Sequence, residues 1–248
     1  MSRDLKWRSG PAEPIGAGPH LPFFDQFDAI RIVSLRDRTD RRTEMAGQLR
    51  TVGLADSPKV KFFDAYRMPD AGPFRGIGSH GNFLSQLAIL REAADARQRV
   101  LILEDDCDFL PQVKEYRPEG NWDILYGGFT ASDPTNLHQS DIVGSHCMGF
   151  SARAASLVVE YLEKLLDPAT LPEPVAAAEP GFNPSIRPSI DGAYVWFRRT
   201  YPELTTTFVL VSKQRPSRSD VASLKFFDRA PVLRQLMPFA RKLKRWLG

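Results

Sequence analysis

Residues 100–108 read Val-Leu-Ile-Leu-Glu-Asp-Asp-Cys-Asp: four apolar side chains, then four acids within five positions. A fully apolar run this short fits a strand buried on both faces, as a sheet covered by helices on both sides requires. The acids that follow would then stand at a strand's carboxyl end, where open α/β sheets bind ligands. Upstream, residues 29–35 (AIRIVSL) read as another strand, followed by a charged turn and a helix with Met45 and Leu49 on its buried face and Gly53 at its close. Residues 60–63 form a short strand, and residues 82–96 a helix with Phe83, Leu87, Leu90 and Ala94 on one stripe. Downstream, residues 124–126 are a strand stopped by Gly127 and Gly128, and residues 147–150 lead into a helix capped by Ser151 and ended by Pro168. Residues 171–188 hold five prolines and read as a surface loop, residues 191–199 as a helix and residues 205–211 as a last strand. This alternation predicts one α/β layered domain.

Composition narrows the class. At 248 residues with 42% hydrophobic and 25% charged side chains, the chain can bury a sizeable core, which excludes disorder throughout. Two cysteines, Cys107 and Cys147, exclude a disulfide scaffold and a four-cysteine zinc site and suit a reducing compartment. Residues 1–22 carry Arg3, Asp4, Lys6 and Arg8 without the apolar run of a secretory signal, and no uncharged stretch approaches the ~20 residues of a membrane span. A cytoplasmic location is therefore expected. Residues 225–248 hold seven basic residues and one acid, so the net charge of +3 resides in this tail, and a nucleic-acid-binding body is not indicated. From Pro238 the tail can form a helix with Phe239, Leu243, Trp246 and Leu247 on one side and Arg241, Lys242, Lys244 and Arg245 elsewhere. Such a helix suits the surface of an anionic membrane, and docking on the body is the alternative.

Four clustered acids repel one another, and a divalent cation is the economical compensation. In an extended turn Glu104, Asp106 and Asp108 would point to one side and Asp105 to the other, an oxygen ligand set for Mg²⁺ or Mn²⁺. A solvated acidic turn answered by arginines is the competing reading. Residues 34–42 (SLRDRTDRR) follow the first strand, with Thr39 or Asp40 as the expected helix cap. Arg38 and Arg41 beside that helix N-terminus are candidates for a diphosphate or for the base and ribose around it, against the alternative of a surface salt-bridge network.

In this order the segments resemble glycosyltransferase family 25, the lipopolysaccharide-type glycosyltransferases that include collagen galactosyltransferases. "IRIVSLRDRTDRR" resembles the family's opening strand and Asn-Leu-Asp-Arg-Arg turn, "VKFFDAY" its next strand, and "GNFLSQLAIL" its Gly-Cys-x-x-Ser-His-Leu helix. "VLILEDDCDF" is similar to its Glu-Asp-Asp turn after an apolar strand; "NWDILYGG", "SHCMGFSARAA" and "SIDGAYVWF" follow in the family's order. The likeness covers about residues 29–220. Ser34 stands where the family has Asn, Asn82 where it has Cys, Gln86 where it has His, and Met148 where it often has Tyr. Gln86 can replace a histidine's hydrogen bond but not its proton chemistry.

The resemblance implies a GT-A type, Rossmann-like nucleotide-sugar fold over residues 29–224, between an N-terminal extension (1–28) and the basic tail (225–248). It implies a metal-assisted, inverting transfer of a hexose, galactose or glucose, from a UDP-sugar to a lipopolysaccharide or other surface-glycan acceptor; the basic tail would allow an otherwise cytoplasmic enzyme to bind peripherally at the inner face of the membrane. Asp106 with Glu104 would hold Mn²⁺ or Mg²⁺; Arg38, Arg41, Ser85, Gln86, Glu104 and Asp105 would bind the donor. Asp191, matching the family's late aspartate, would be the general base, and His146 an acceptor or metal contact. A degenerate member that binds nucleotide sugar or glycan without turnover is the alternative, and a Mg²⁺-dependent phosphodiesterase a more distant one.

Overall fold

The computed structural model describes residues 22–167, 169, 183 and 185–216. The expected tail helix, the N-terminal extension to residue 21 and most of the proline-rich loop lie outside the described residues.

A six-stranded sheet has the order β2-β1-β3-β8-β5-β9. It is built from β1 (Ala29–Ser34), β2 (Val60–Asp64), β3 (Val100–Glu104), β5 (Ile124–Tyr126), β8 (Cys147–Phe150) and β9 (Thr206–Phe208). β1 runs parallel to β2 and β3, and β5 parallel to β9, while β8 is antiparallel to both of its neighbours. The apolar run of β3 has its reason here, because both faces are covered. Val100 and Ile102 join the core beneath α2 (Ile77–Asp95), α3 (Ala152–Leu166) and α4 (Ile190–Thr200). Leu101 and Leu103 face the other core with α1 (Thr39–Thr51), Phe23, Phe24 and Trp122. Phe23, Phe24 and Phe27, ahead of β1, are buried in this second core.

Local chemistry explains the starts of the helices. Ser151 caps α3 by accepting from Ala154 N–H at 3.1 Å while donating to Asp123 at 2.7 Å, a cap that contributes about 1 kcal/mol. α1 departs from expectation. Its N-cap is Arg38, not Thr39 or Asp40, and Asp40 in the first turn instead accepts two bonds from the Arg38 guanidinium at 3.0 and 2.9 Å. α2 begins at Ile77, ahead of the expected start at residue 82, through a glycine-rich turn of low helix propensity that tertiary packing holds.

The expected last strand over 205–211 is two strands. After β9 the amides of Val209 and Val211 bond Tyr126 and Gly127 carbonyls, and the chain crosses to form β10 (Ser212–Gln214), which pairs antiparallel with β4 (Cys107–Phe109). A small ladder of β6 (Thr130–Ala131) and β7 (Ile142–Val143) completes the strands. Among the described residues no helix is long and apolar enough to cross a membrane.

Candidate functional site

The acids at the end of β3 do not form the extended run expected from sequence. Asp105 and Asp106 make a tight turn between β3 and β4, and β4 is drawn to β10. Asp108 is thereby removed from its neighbours: Arg215 Nε donates to it at 3.1 Å, and the same guanidinium bonds Glu44. The turn is clamped along its backbone too, with Arg215 N–H donating to Asp106 O at 2.7 Å.

Asp105 turns toward α1. Its carboxylate accepts from Ser34 Oγ at 2.7 Å and Arg41 Nη1 at 2.8 Å, which ties β1, α1 and the turn together. Asp106, also buried, stands 3.6 Å from Arg41 Nη1 and 3.4 Å from Gln214 Nε2. Arg41 therefore lies between the two turn aspartates, and Arg38, in ion pair with Asp40, stands at the rim. That pairing holds the Asp40 carboxyl down to about 2.

Glu104 has a different environment. Its Oε1 accepts from Asn82 Nδ2 at 2.9 Å, Gln86 Nε2 at 3.2 Å and Ser145 Oγ at 2.8 Å, all neutral donors. Burial pushes its carboxyl up to about 8, with the charges of Asp106 and Asp191 adding to the effect and the hydrogen bonds opposing it. Gln86 is fully buried; it also bonds Asn82, and its carbonyl accepts from Tyr194 Oη at 2.8 Å. Tyr194 shares α4 with Asp191, so Gln86 links the β3 terminus on one side to α4 on the other.

Asp191 stands in the first turn of α4 with its carboxyl buried, and Oδ1 has no hydrogen-bond partner among the described residues. Burial raises its pKa, while Ser145 and the Gly144 backbone pull the other way. His146 is 4% exposed and neither ring nitrogen has a hydrogen-bond partner among the described residues. Desolvation lowers it to about 4, so the imidazole is neutral at physiological pH. Its Nε2 lies against Gly128, where an added Cβ would come within 2.3 Å, so the glycine leaves room for the ring. Ser85 is buried behind the site: its hydroxyl donates to Gly81 O at 2.6 Å and accepts from Tyr66 N–H at 2.9 Å.

A cleft of about 380 Å³ opens over these residues, lined by the acids Glu104, Asp105 and Asp106, by Arg38, Arg41, Asn82 and Gln214, and by Val33, Leu35, Ala65 and Tyr66. The structure thus brings Arg38, Arg41, Glu104, Asp105 and Asp106 into one cleft. Ser85, Gln86, His146 and Asp191 are not among the residues that line it. Sequence reasoning missed Asn82 and Ser145 as holders of Glu104, and Tyr194 and Arg215 as supports. Asn82 had a signal as a departure from the family pattern; the other three meet the site only through long-range packing.

Among the described residues no group of three or more His, Cys, Asp or Glu is arranged to hold a metal ion. The donor chemistry nonetheless fits a hard cation of the Mg²⁺ type, which takes one or two carboxylates and completes its shell with substrate phosphates and water. The mutual repulsion of Glu104, Asp106 and Asp191 is what such a cation would relieve.

No protein-family model matches the chain. Among solved structures the fold is similar to the crystal structure of a glycosyltransferase involved in the glycosylation of the major capsid of PBCV-1, with a TM-score of 0.44 at 10% identity, over 77% of this chain and 97% of that chain.

Proposed function

We propose that the chain is a GT-A-type, metal-assisted glycosyltransferase that moves a hexose, galactose or glucose, from a UDP-sugar to a lipopolysaccharide or other surface-glycan acceptor. The observation that carries this reading is the arrangement about Glu104, which lines a cleft with Arg38, Arg41 and Asp106 and lies near enough to the buried carboxyl of Asp191 to feel its charge. A departing diphosphate calls for the first environment and an attacking hydroxyl for a base such as the second.

In this reading Asp106 and Glu104 hold Mn²⁺ or Mg²⁺, and when bound the ion supplies Lewis-acid neutralisation of the departing diphosphate. Arg41 fixes the turn through Asp105, and Arg38 and Arg41, which both line the cleft, would meet the donor's phosphates and ribose. Asn82, Gln86 and Ser145 fix Glu104 without adding charge. Asp191, buried beside Gly144 and Ser145, would accept the proton of the acceptor hydroxyl once that segment shifts to admit it, and burial raises its pKa in the direction that favours a base. One base on the face opposite the leaving group gives inversion. His146, neutral and walled off, keeps its proposed contact with acceptor or metal only if the 144–146 segment shifts on binding. The basic tail is assigned to an anionic membrane surface at the inner face.

Thermal unfolding with UDP tests the reading: UDP at a hundredfold its Kd stabilises by about 2.7 kcal/mol, and that shift should require Mn²⁺ or Mg²⁺ and vanish in EDTA. A chain that UDP and UDP-sugars leave unshifted with and without cation is not this enzyme.

A further inference from the structure

We infer that Tyr194 is a positioning residue for the cation site: its buried hydroxyl sets the sense of the hydrogen-bond chain that occupies Glu104 Oε1 and leaves Oε2 to meet the ion. The inference rests on the reading above that Glu104 helps to hold the cation, and it names the oxygen that does so. Glu104 lines the cleft, and the donors from Asn82, Gln86 and Ser145 all converge on Oε1. Oε2 accepts no hydrogen bond among the described residues, yet it is not one of their buried orphaned atoms, so it is the carboxyl oxygen open to solvent.

A side-chain amide carries two donors on its nitrogen and an acceptor on its oxygen, and it can be turned either way. Tyr194 decides which way Gln86 lies. Its ring is buried against Phe150, with centroids 5.1 Å apart, and its hydroxyl has no hydrogen-bond partner among the described residues besides Gln86. The hydroxyl therefore donates to Gln86 Oε1, at 2.8 Å, and Nε2 is left to face Glu104. Nε2 also donates to Asn82 Oδ1, at 3.2 Å and one turn earlier on α2, which turns Asn82 Nδ2 toward the same Glu104 oxygen. In the reverse sense both amide oxygens would point at a carboxylate oxygen, and the phenol's proton would be buried without an acceptor.

One phenol thus fixes the direction of four hydrogen bonds, and it does so from the helix that also carries Asp191. With Oε1 taken up by neutral donors, Glu104 has one oxygen left for a ligand. A hard cation that keeps most of its shell for phosphate and water needs no more than a single contact of this kind. Neither Gln86 nor Tyr194 lines the cleft, so both act through Glu104 and touch no ligand themselves.

The test is titration of Mn²⁺ into the full-length protein with UDP present, followed by electron paramagnetic resonance, alongside the melting temperature of each variant. Tyr194→Phe removes only the hydroxyl, and Gln86→Met removes the amide at similar size. Tyr194→Phe should weaken Mn²⁺ by about threefold, Gln86→Met by about tenfold, and the double variant no more than Gln86→Met alone, because the phenol acts through the amide. A lowered melting temperature in Tyr194→Phe with Mn²⁺ affinity unchanged shows a structural role and overturns the inference. An effect of Tyr194→Phe that persists undiminished in the Gln86→Met background overturns it too. In both cases the wild type still binds Mn²⁺ with UDP and the cation reading stands, whereas a wild type that binds neither overturns both.

Discussion

Asp108 and Glu104 stand at opposite ends of one acidic turn, and the fold treats their charges in opposite ways. Asp108 is answered by Arg215, which also takes Glu44, so this end is an ordinary partly exposed ion-pair network. Among the described residues Glu104 receives three neutral donors and no cationic side chain, and it shares its surroundings with Asp106 and Asp191. Asp105 and Asp106 lie between these cases, with Arg41 beside both. A run of acids is thus not one feature. Where the fold supplies arginine, the run is structural; where it supplies amides and hydroxyls alone, the carboxyl holds its proton up to about 8, and in the proposed reading a bound cation takes that proton's place.

The largest effect that would sharpen this contrast belongs to Asp191. Asp191→Asn keeps the shape and removes the base, so transfer to acceptor should fall by about 10²- to 10⁴-fold while UDP binding is retained. Transfer near the wild-type rate in this variant would remove Asp191 as base. Next come the two arginines. Arg41→Ala strips the cation from two buried aspartates and should destabilise by about 3 kcal/mol, whereas Arg215→Ala, at the more exposed end, should cost about 1 kcal/mol or less. Urea denaturation of both variants measures the difference, and equal losses would break the division between the two ends.

A smaller and more specific effect is the pH dependence of stability. Glu104 is raised from 4.5 to about 8 in the fold, so between these values the folded chain keeps a proton that the unfolded chain has released. Stability should therefore decline as pH rises from about 4.5 through 8, and Glu104→Gln, which still accepts from Asn82 and Ser145, should flatten the decline. Added Mn²⁺ should flatten it in the wild type. Parallel curves for wild type and Glu104→Gln would mean that the carboxyl is not desolvated as the fold implies.

The comparison also separates what the sequence could reveal from what it could not. The strand at 100–104 and the acids after it were legible because burial on both faces writes an unbroken apolar run, and the order of motifs brought Arg38, Arg41 and Asp191 to attention as well. The split after Phe208 was not legible: Val209 and Val211 are as strand-like as their neighbours, and only the carbonyls of Tyr126 and Gly127 decide where the chain turns. The early start of α2 was hidden for the opposite reason, since Gly76, Gly78 and Gly81 argue locally against a helix that Phe74, Phe83 and Tyr66 pack into place. Alternation along an extended strand suggested that Asp106 and Asp108 share a side; pairing of β4 with β10 overrides it. The partners of Glu104 come from α2 and from the segment before β8, and a one-dimensional pattern does not encode that convergence.

The central claim is that the cleft lined by Glu104 and Asp106 binds a nucleoside-diphosphate sugar through a divalent cation and turns it over. Release of UDP from a panel of UDP-sugars, with Mn²⁺ or with EDTA, by wild type and Asp106→Ala in parallel, tests it most directly. The account predicts slow hydrolysis of one hexose donor, lost in EDTA and in the variant. Release by the variant at the wild-type rate, or undiminished release in EDTA, would contradict it.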